Sequence, residues 1–288
     1  MNASSTSSSP APLAARRWRW PRLGTMLALA YLLALVVVAV AAPWVAPHSP
    51  TAQDPAGLLA PPSASNWIGT DDLGRDVFSR LVHGAPLTLM ASFLAVGVAA
   101  AIGLPLGLLA GFLGGWFDEV ISRIIDTLLS FPAIVLAIGV TGALGVGLVN
   151  SMIAVGVVFS PTLARLVRGQ TLIVRSELYV DAARCFGASP LRIMLRHILP
   201  NAVQPVLVQM TLLLAAALLA EASLSFLGLG VQPPQPSWGA MLARAYHYME
   251  IAPEQMYAPG IAILLTALAF NTLGESLRVA LDPTLRHR

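Results

Sequence analysis

The sequence contains no lysine; its 17 Lys/Arg residues are all arginine. That excludes a phosphate-binding loop of the Walker A kind, which needs a lysine beside the phosphates. If ATP drives this protein, another chain must bind it. Cysteine is nearly absent, and the single Cys185 excludes an internal disulfide. His48, His83, His197, His247 and His287 are scattered, without the spacing of zinc ligands, so no metal site is expected. No grouping of nucleophile, base and orienting residue marks a catalytic site. Charge is scarce too: 11% of 288 residues, where a soluble domain has about 25%. Hydrophobic residues reach 56%, so an all-α integral membrane protein is expected.

Residues 1–22 read as a separate segment. The first twelve are rich in Ser, Ala and Pro and are expected to be disordered. Arg16, Arg17, Arg19 and Arg22 follow, with Trp18 and Trp20 among them. Basic residues and tryptophan beside a span place this end in the cytoplasm, and the immediate start of that span argues against nucleic-acid binding. Residues 23–42 form an uncharged run longer than the roughly 7–15 apolar residues of a signal-peptide core, so an uncleaved first span is expected.

Residues 43–85 form a Pro-rich outer loop with a short helix, in which Asp76 and Arg80 are spaced for an i,i+4 pair. A core of five further helices follows at 86–280. Spans are predicted near 86–112, 120–140, 148–167, 202–224 and 257–277, and 281–288 form a cytoplasmic tail. Gly103, Gly107 and Gly111 lie on one face of the second span, where small residues let another helix approach. Pro105 is a candidate kink in that span. Residues 114–122 read as an inner turn, and Arg123 and Asp126 could pair at the start of the third span, which Phe131-Pro132 interrupts. Gly142, Gly145, Gly147 and Asn150 mark an outer turn, and 241–256 an outer loop. Glu221 and Ser223, near the outer end of the fifth span, are candidate pathway or outer-gate residues, since an acid at membrane depth is a functional candidate. A solvated position at the interface is the other reading of Glu221.

Six spans put Arg75, Arg80 and Arg244 outside and the other 14 arginines at the inner face, as the positive-inside rule requires. The polar stretch 177–201, ELYVDAARCFGASPLRIMLRHILPN, then lies inside, between spans four and five. Helix formers run to Phe186, and Gly187 suits the left-handed position past a helix end. Ser189 can cap a second helix and Pro190 can occupy its first turn. Leu191, Met194, Leu195 and Ile198 recur at helical spacing. Pro200 limits that helix or starts another. The residues alone give a helix–turn–helix knob or a solvated amphipathic loop.

Asp181-Ala182-Ala183, Gly187 and Ile198-Leu199-Pro200 resemble the "EAA" signature of binding-protein-dependent ABC importer permeases. Asp181 stands where the family has Glu, and His197 where it has Ile. Arg196 to Asn201 is similar to the dipeptide, oligopeptide and nickel branch, as are Gly69–Val77, Ala222–Gly230, Val231–Gly239 and Asp282-Pro283. Pro86 stands where that branch commonly has a basic residue, so no role of that charge carries over. The resemblance covers roughly 66–285 and is closest to a second-permease subunit.

It implies a type I permease fold of six transmembrane helices in the bacterial inner membrane, with both termini cytoplasmic. It also implies a coupling loop at 168–200, in which Tyr179, Asp181, Ala182, Ala183, Arg184, Phe186, Gly187, Ala188 and Ser189 would meet an ATP-binding subunit. The expected partners are a homologous permease subunit, two ATP-binding subunits carrying ATP and Mg, a substrate-binding protein and membrane lipid. Di- or oligopeptides are the expected cargo, with nickel chelates, glutathione-like peptides and haem-like ligands as alternatives. An ion-coupled secondary transporter would need inverted repeats and ionisable groups at the midplane, which the sequence does not display.

Overall fold

The computed structural model describes residues 23–281. The expectations for residues 1–22, including Arg16, Arg17, Arg19, Arg22, Trp18 and Trp20, lie outside them, as do those for Asp282, Pro283, Arg286 and Arg288. The described residues form helices, in order α1 (Leu23–Val40), α2 (Ala42–Val45), α3 (Val77–Leu113), α4 (Gly115–Leu129), α5 (Ala133–Leu144), α6 (Leu148–Arg175), α7 (Leu178–Cys185), α8 (Pro190–Arg192), α9 (Leu199–Phe226), α10 (Trp238–Tyr246) and α11 (Tyr257–Leu281). Among these residues no strand forms; Thr70 and Asp76 make one isolated bridge. Five helical stretches are long and apolar enough to cross a membrane, and α4 with α5 makes a sixth only as a pair bent by 98°. The twelve residues of α5 span about 18 Å, short of a bilayer core of about 30 Å.

α3 and α6 form the centre. Their backbones meet because three glycines of α3 face α6. A Cβ on Gly103 would lie 2.8 Å from the Ser160 carbonyl, and one on Gly111 would lie 2.7 Å from Thr171 Cβ. Gly107 faces the Ala164 carbonyl more closely still. From the other side, Gly156 of α6 lies against Ala95 and Val98. α9 and α11 complete the bundle. α1 lies against α11 through Thr25 Oγ1–Ser276 Oγ at 2.7 Å and Tyr31–Thr266 at 2.9 Å, with most of its surface exposed as a lipid-facing helix requires.

One end of the bundle carries a polar cap. Asp76 accepts from the Ser79 amide at 2.8 Å and from Asn66 Nδ2 at 3.1 Å. Its carboxylate is therefore spent as the helix cap of α3, and the expected Asp76–Arg80 pair does not form. Arg80 instead donates to the Pro50 carbonyl at 2.7 Å and lies 3.4 Å from Asp71, which also binds Arg75. Arg244 of α10 reaches Asp72 at 2.9 Å, tying the cap to the later helices.

Other boundaries also move. α3 runs unbroken from Val77 through Pro86 and Pro105, so the outer helix and the second span are one element. Helix resumes at Gly115, so the inner turn shrinks to Gly114 and Gly115, with φ of +67° and +59°. Arg123 lies 4.0 Å from Glu119 rather than pairing with Asp126, because Asp126 faces Arg165 of α6. Residues 241–256 are largely helical, in α10 and a 3₁₀ turn at Pro253–Met256. Ser189 occupies the cap position but its side chain makes no capping hydrogen bond. Pro200 does not end its helix either. A π-helical turn at Ile193–Ile198 precedes it, the Leu199 amide reaches back to Met194, and helix continues from Pro190 to Phe226. Proline has no N–H to lose at that point, and the wider turn absorbs its ring.

Candidate coupling surface and cap-end cleft

α6 passes into α7 through Ser176 and Glu177 alone. Val180, fully buried, joins the same hydrophobic core as Ile193 and Ile198, and α7 packs against the π turn that carries them. The end of α7 is closed by a pair of backbone hydrogen bonds. The Ala188 amide donates to the Ala183 carbonyl at 3.0 Å, and the Gly187 amide donates to the Arg184 carbonyl at 2.9 Å. This 6→1 and 5→2 pattern needs a left-handed residue at 187, and Gly187 has φ +76°. Nothing in this chain lies within 4 Å of a Cβ placed there, so the backbone angle, not crowding, selects glycine.

The resulting knob presents Asp181, Ala182, Arg184, Phe186, Gly187 and Ser189 to solvent, with Ala183 and Ala188 half-buried. Asp181 and Arg184 pair with each other at 3.0 Å within α7. Tyr179 is 43% exposed; partial burial raises its phenol pKa, and the charge of Glu177 adds to that, so the ring is neutral at physiological pH. Phe186 is 91% exposed and Leu178 85%, so the knob carries two large apolar side chains that this chain leaves uncovered. Leu178 was not among the expected contact residues; a large apolar residue in the first turn of an otherwise polar helix is the signal that marks it. The stripe Leu191, Met194, Leu195 and Ile198 is divided. Met194 and Ile198 are buried while Leu191 and Leu195 are exposed, because the π turn spreads residues that an α-helix would stack on one face.

At the other end, the structure separates Glu221 from Ser223. Glu221 is fully buried, and its Oε1 accepts from Ser225 Oγ and Ser237 Oγ, both at 2.9 Å. Its other oxygen lies against Gly239, where a Cβ would come within 2.8 Å of it. Ser237 also caps α10, and Trp238 donates its indole N–H to the Leu81 carbonyl at 2.9 Å. Glu221 thus fastens α9 to α10 and, through Trp238, to α3. Ser223 is exposed, bonds its own helix at Leu219, and lines an open cleft of about 450 Å³ with Phe226, Leu242, Gly260 and Ile263. Among the described residues, no group of three or more His, Cys, Asp or Glu is placed to hold a metal ion.

Residues 103–287 match the family described as "Binding-protein-dependent transport system inner membrane component", and residues 22–62 match the "N-terminal TM domain of oligopeptide transport permease C". Curated relatives named "Glutathione transport system permease protein GsiD", from Escherichia coli O157:H7 and Shigella sonnei, are each 48% identical over 94% of this chain and 89% of their own. Two crystal forms of the MetNI methionine ABC transporter in inward-facing conformations are similar in fold. Their matching chains share 23% identity, with TM-scores of 0.57 and 0.58, covering 70% and 71% of this chain and 97% and 98% of theirs. The helical architecture is that of a type I ABC permease.

Proposed function

The chain belongs to the family of binding-protein-dependent transport system inner membrane components, as the permease subunit of an ABC importer, and from that premise we propose that it carries glutathione or closely similar small peptides and is driven through the knob at 178–192. The identity shared with the glutathione permeases along nearly the whole chain supports the cargo. The single observation that carries the coupling reading is the backbone-locked α7, which follows α6 directly and exposes Phe186 and Leu178. Apolar side chains so exposed beyond the end of a bundle suit a partner surface.

That partner is an ATP-binding subunit, present twice, which holds ATP and Mg; this chain has no lysine for a phosphate loop, takes no cofactor and catalyses no reaction itself. A homologous permease subunit supplies the other half of the pathway, and an extracytoplasmic binding protein delivers the cargo. The arginine-rich end carrying the knob faces the cytoplasm, as do both termini. Tilting of the knob by its partner turns α6 and α9, which alternates access to the pathway. Asp181 and Arg184 set register at the rim. Tyr179, Ala182, Ala183, Gly187, Ala188 and Ser189 supply the close-fitting surface.

The test is reconstitution of the complete importer in liposomes, with labelled glutathione and a labelled dipeptide as cargo. ATP-dependent uptake of glutathione is expected. Gly187→Leu and Asp181→Arg should insert and assemble but lose both uptake and binding-protein-stimulated ATP hydrolysis. Wild-type rates in both variants would reduce the knob to a solvated loop. Uptake of a nickel chelate or haem without uptake of either peptide would overturn the cargo.

A further inference from the structure

Three arginines of α6 reach α3 and α4. Arg175 donates to the Gly111 carbonyl at 3.3 Å and lies 6.0 Å over the Phe112 ring, so a cation closes the carboxyl end of α3. Arg168 grips Asp118 of α4 with two parallel hydrogen bonds, Nη2–Oδ2 at 2.6 Å and a shorter one from Nε to Oδ1. Arg165 pairs with Asp126 farther along the same helix. The Arg168–Asp118 side chains are 31% and 17% exposed, the Arg165–Asp126 side chains 56% and 61%. The half-buried, bidentate pair is the stronger of the two, since solvent screens the other.

α4 has little else to fix its angle. It packs mainly on α3 and α6, and Ile125 alone among its residues is buried. At its start, Gly114 and Gly115 both have positive φ; a Cβ at 115 would touch nothing, and one at 114 would meet only Arg175 Nη1, at 3.4 Å. At its far end the chain bends by 98° into α5. α4 is therefore a lever with a glycine pivot at one end and a break at the other, and charge pairs hold it to α6. That same α6 enters the knob within two residues of Arg175.

We propose that Arg168, assisted by Arg165, is a positioning residue for transport: it carries α4 with the knob, so that a tilt begun at α7 reaches α4 and α5 through Asp118 and Asp126. The proposal rests on the coupling role assigned to the knob.

The experiment uses the complete importer in liposomes and has two readouts. The first is uptake by Asp118→Arg, by Arg168→Asp and by the double exchange. Each single variant should lose about tenfold, and the exchange should recover most of that loss. The second is the distance between spin labels at the exposed Ile124 and Glu177, in a Cys185→Ser background, with and without ATP. In the otherwise native protein that distance should stay the same in both states, and in Asp118→Arg it should broaden.

Single variants with wild-type uptake would overturn the proposal, as would an assembled exchange variant no better than the singles. If the single variants fail to assemble, the label pair in the otherwise native protein decides: an unchanged distance supports the proposal and a distance that shifts with ATP overturns it. Gly187→Leu separates the two readings. Blocked uptake there with normal uptake in Asp118→Arg sinks this inference alone, whereas normal uptake in Gly187→Leu removes the coupling reading beneath it.

Discussion

Ala188 donates its amide to the Ala183 carbonyl across Gly187, and together with the Gly187–Arg184 bond this closes the carboxyl end of α7. Because the turn is selected by backbone angle alone, substitutions at 187 should follow left-handed preference rather than size. Gly187→Asn is expected to be mild, since Asn tolerates that region. Gly187→Val should strain the turn by about 1–2 kcal/mol. Melting of α7 relieves that strain, so hydrogen exchange at the Val180 amide should speed up by about five- to thirtyfold while the bundle stays folded. Equal exchange rates in the two variants would mean the turn is held by something other than Gly187.

The α3–α6 contact makes the opposite prediction, in which size decides. At Gly107 an added Cβ would run into the Ala164 carbonyl and lie 2.7 Å from Val167 Cβ. Backbone cannot retreat as a side-chain tip can. Gly107→Leu should therefore cost about 1–3 kcal/mol or more through overpacking and cut the yield of assembled complex. Gly97, on the same helix, has nothing within 4 Å of its Cβ, so Gly97→Ala should be neutral or slightly stabilising. Similar yields from both variants would place the glycine face away from α6.

What the sequence made legible follows the range of the interaction. Apolar run length and the Gly187 turn signal are local, and both spans and knob could be placed from them. Sequence spacing suggests only neighbours as ion-pair partners, Asp76 with Arg80 and Arg123 with Asp126, and neither pair forms. The carboxylates were already committed, Asp76 to the start of its own helix and Asp126 to Arg165 on another helix. The expected start of the second span at Pro86 is not a helix boundary, since Pro86 lies inside α3, whereas Pro200 sits in the first turn of α9, one of its two expected places, where a missing N–H costs least. An acid at membrane depth marks Glu221 in the sequence, but its partner Ser237 lies beyond the end of α9, where no periodicity points to it.

Orientation is open to direct measurement. In intact cells and a Cys185→Ser background, a cysteine at the exposed Ala64 should react with an impermeant thiol reagent added outside. One at Glu119 should react only after permeabilisation. Ser79 is fully buried and accepts from the His48 amide, so a cysteine there would be silent from either side and makes a poor probe. Labelling at Glu119 from outside would invert the topology drawn from the arginine distribution.

Glu221 separates a need for charge from a need for an acceptor. Two hydroxyl donors converge on one of its oxygens, inside a bundle where water does not reach. Glu221→Gln keeps a carbonyl oxygen in that position and removes the charge, so assembly and uptake should stay near wild type. Glu221→Leu keeps the bulk but strands the Ser225 and Ser237 hydroxyls, each left to find another acceptor or go unpaired. Leaving a buried donor unpaired costs about 1–3 kcal/mol. The loss should appear as a melting point lower by several degrees in detergent. It should also appear as reduced uptake, because α10 and Trp238 are no longer fastened to α9. Ser237→Ala removes one of the two donors and the cap of α10 together, and should cost about 1 kcal/mol. The informative comparison is Gln against Leu at 221. If Gln impairs uptake as severely as Leu while leaving the melting point unchanged, the carboxylate acts through its charge during transport, and the fastening role assigned to Glu221 is wrong.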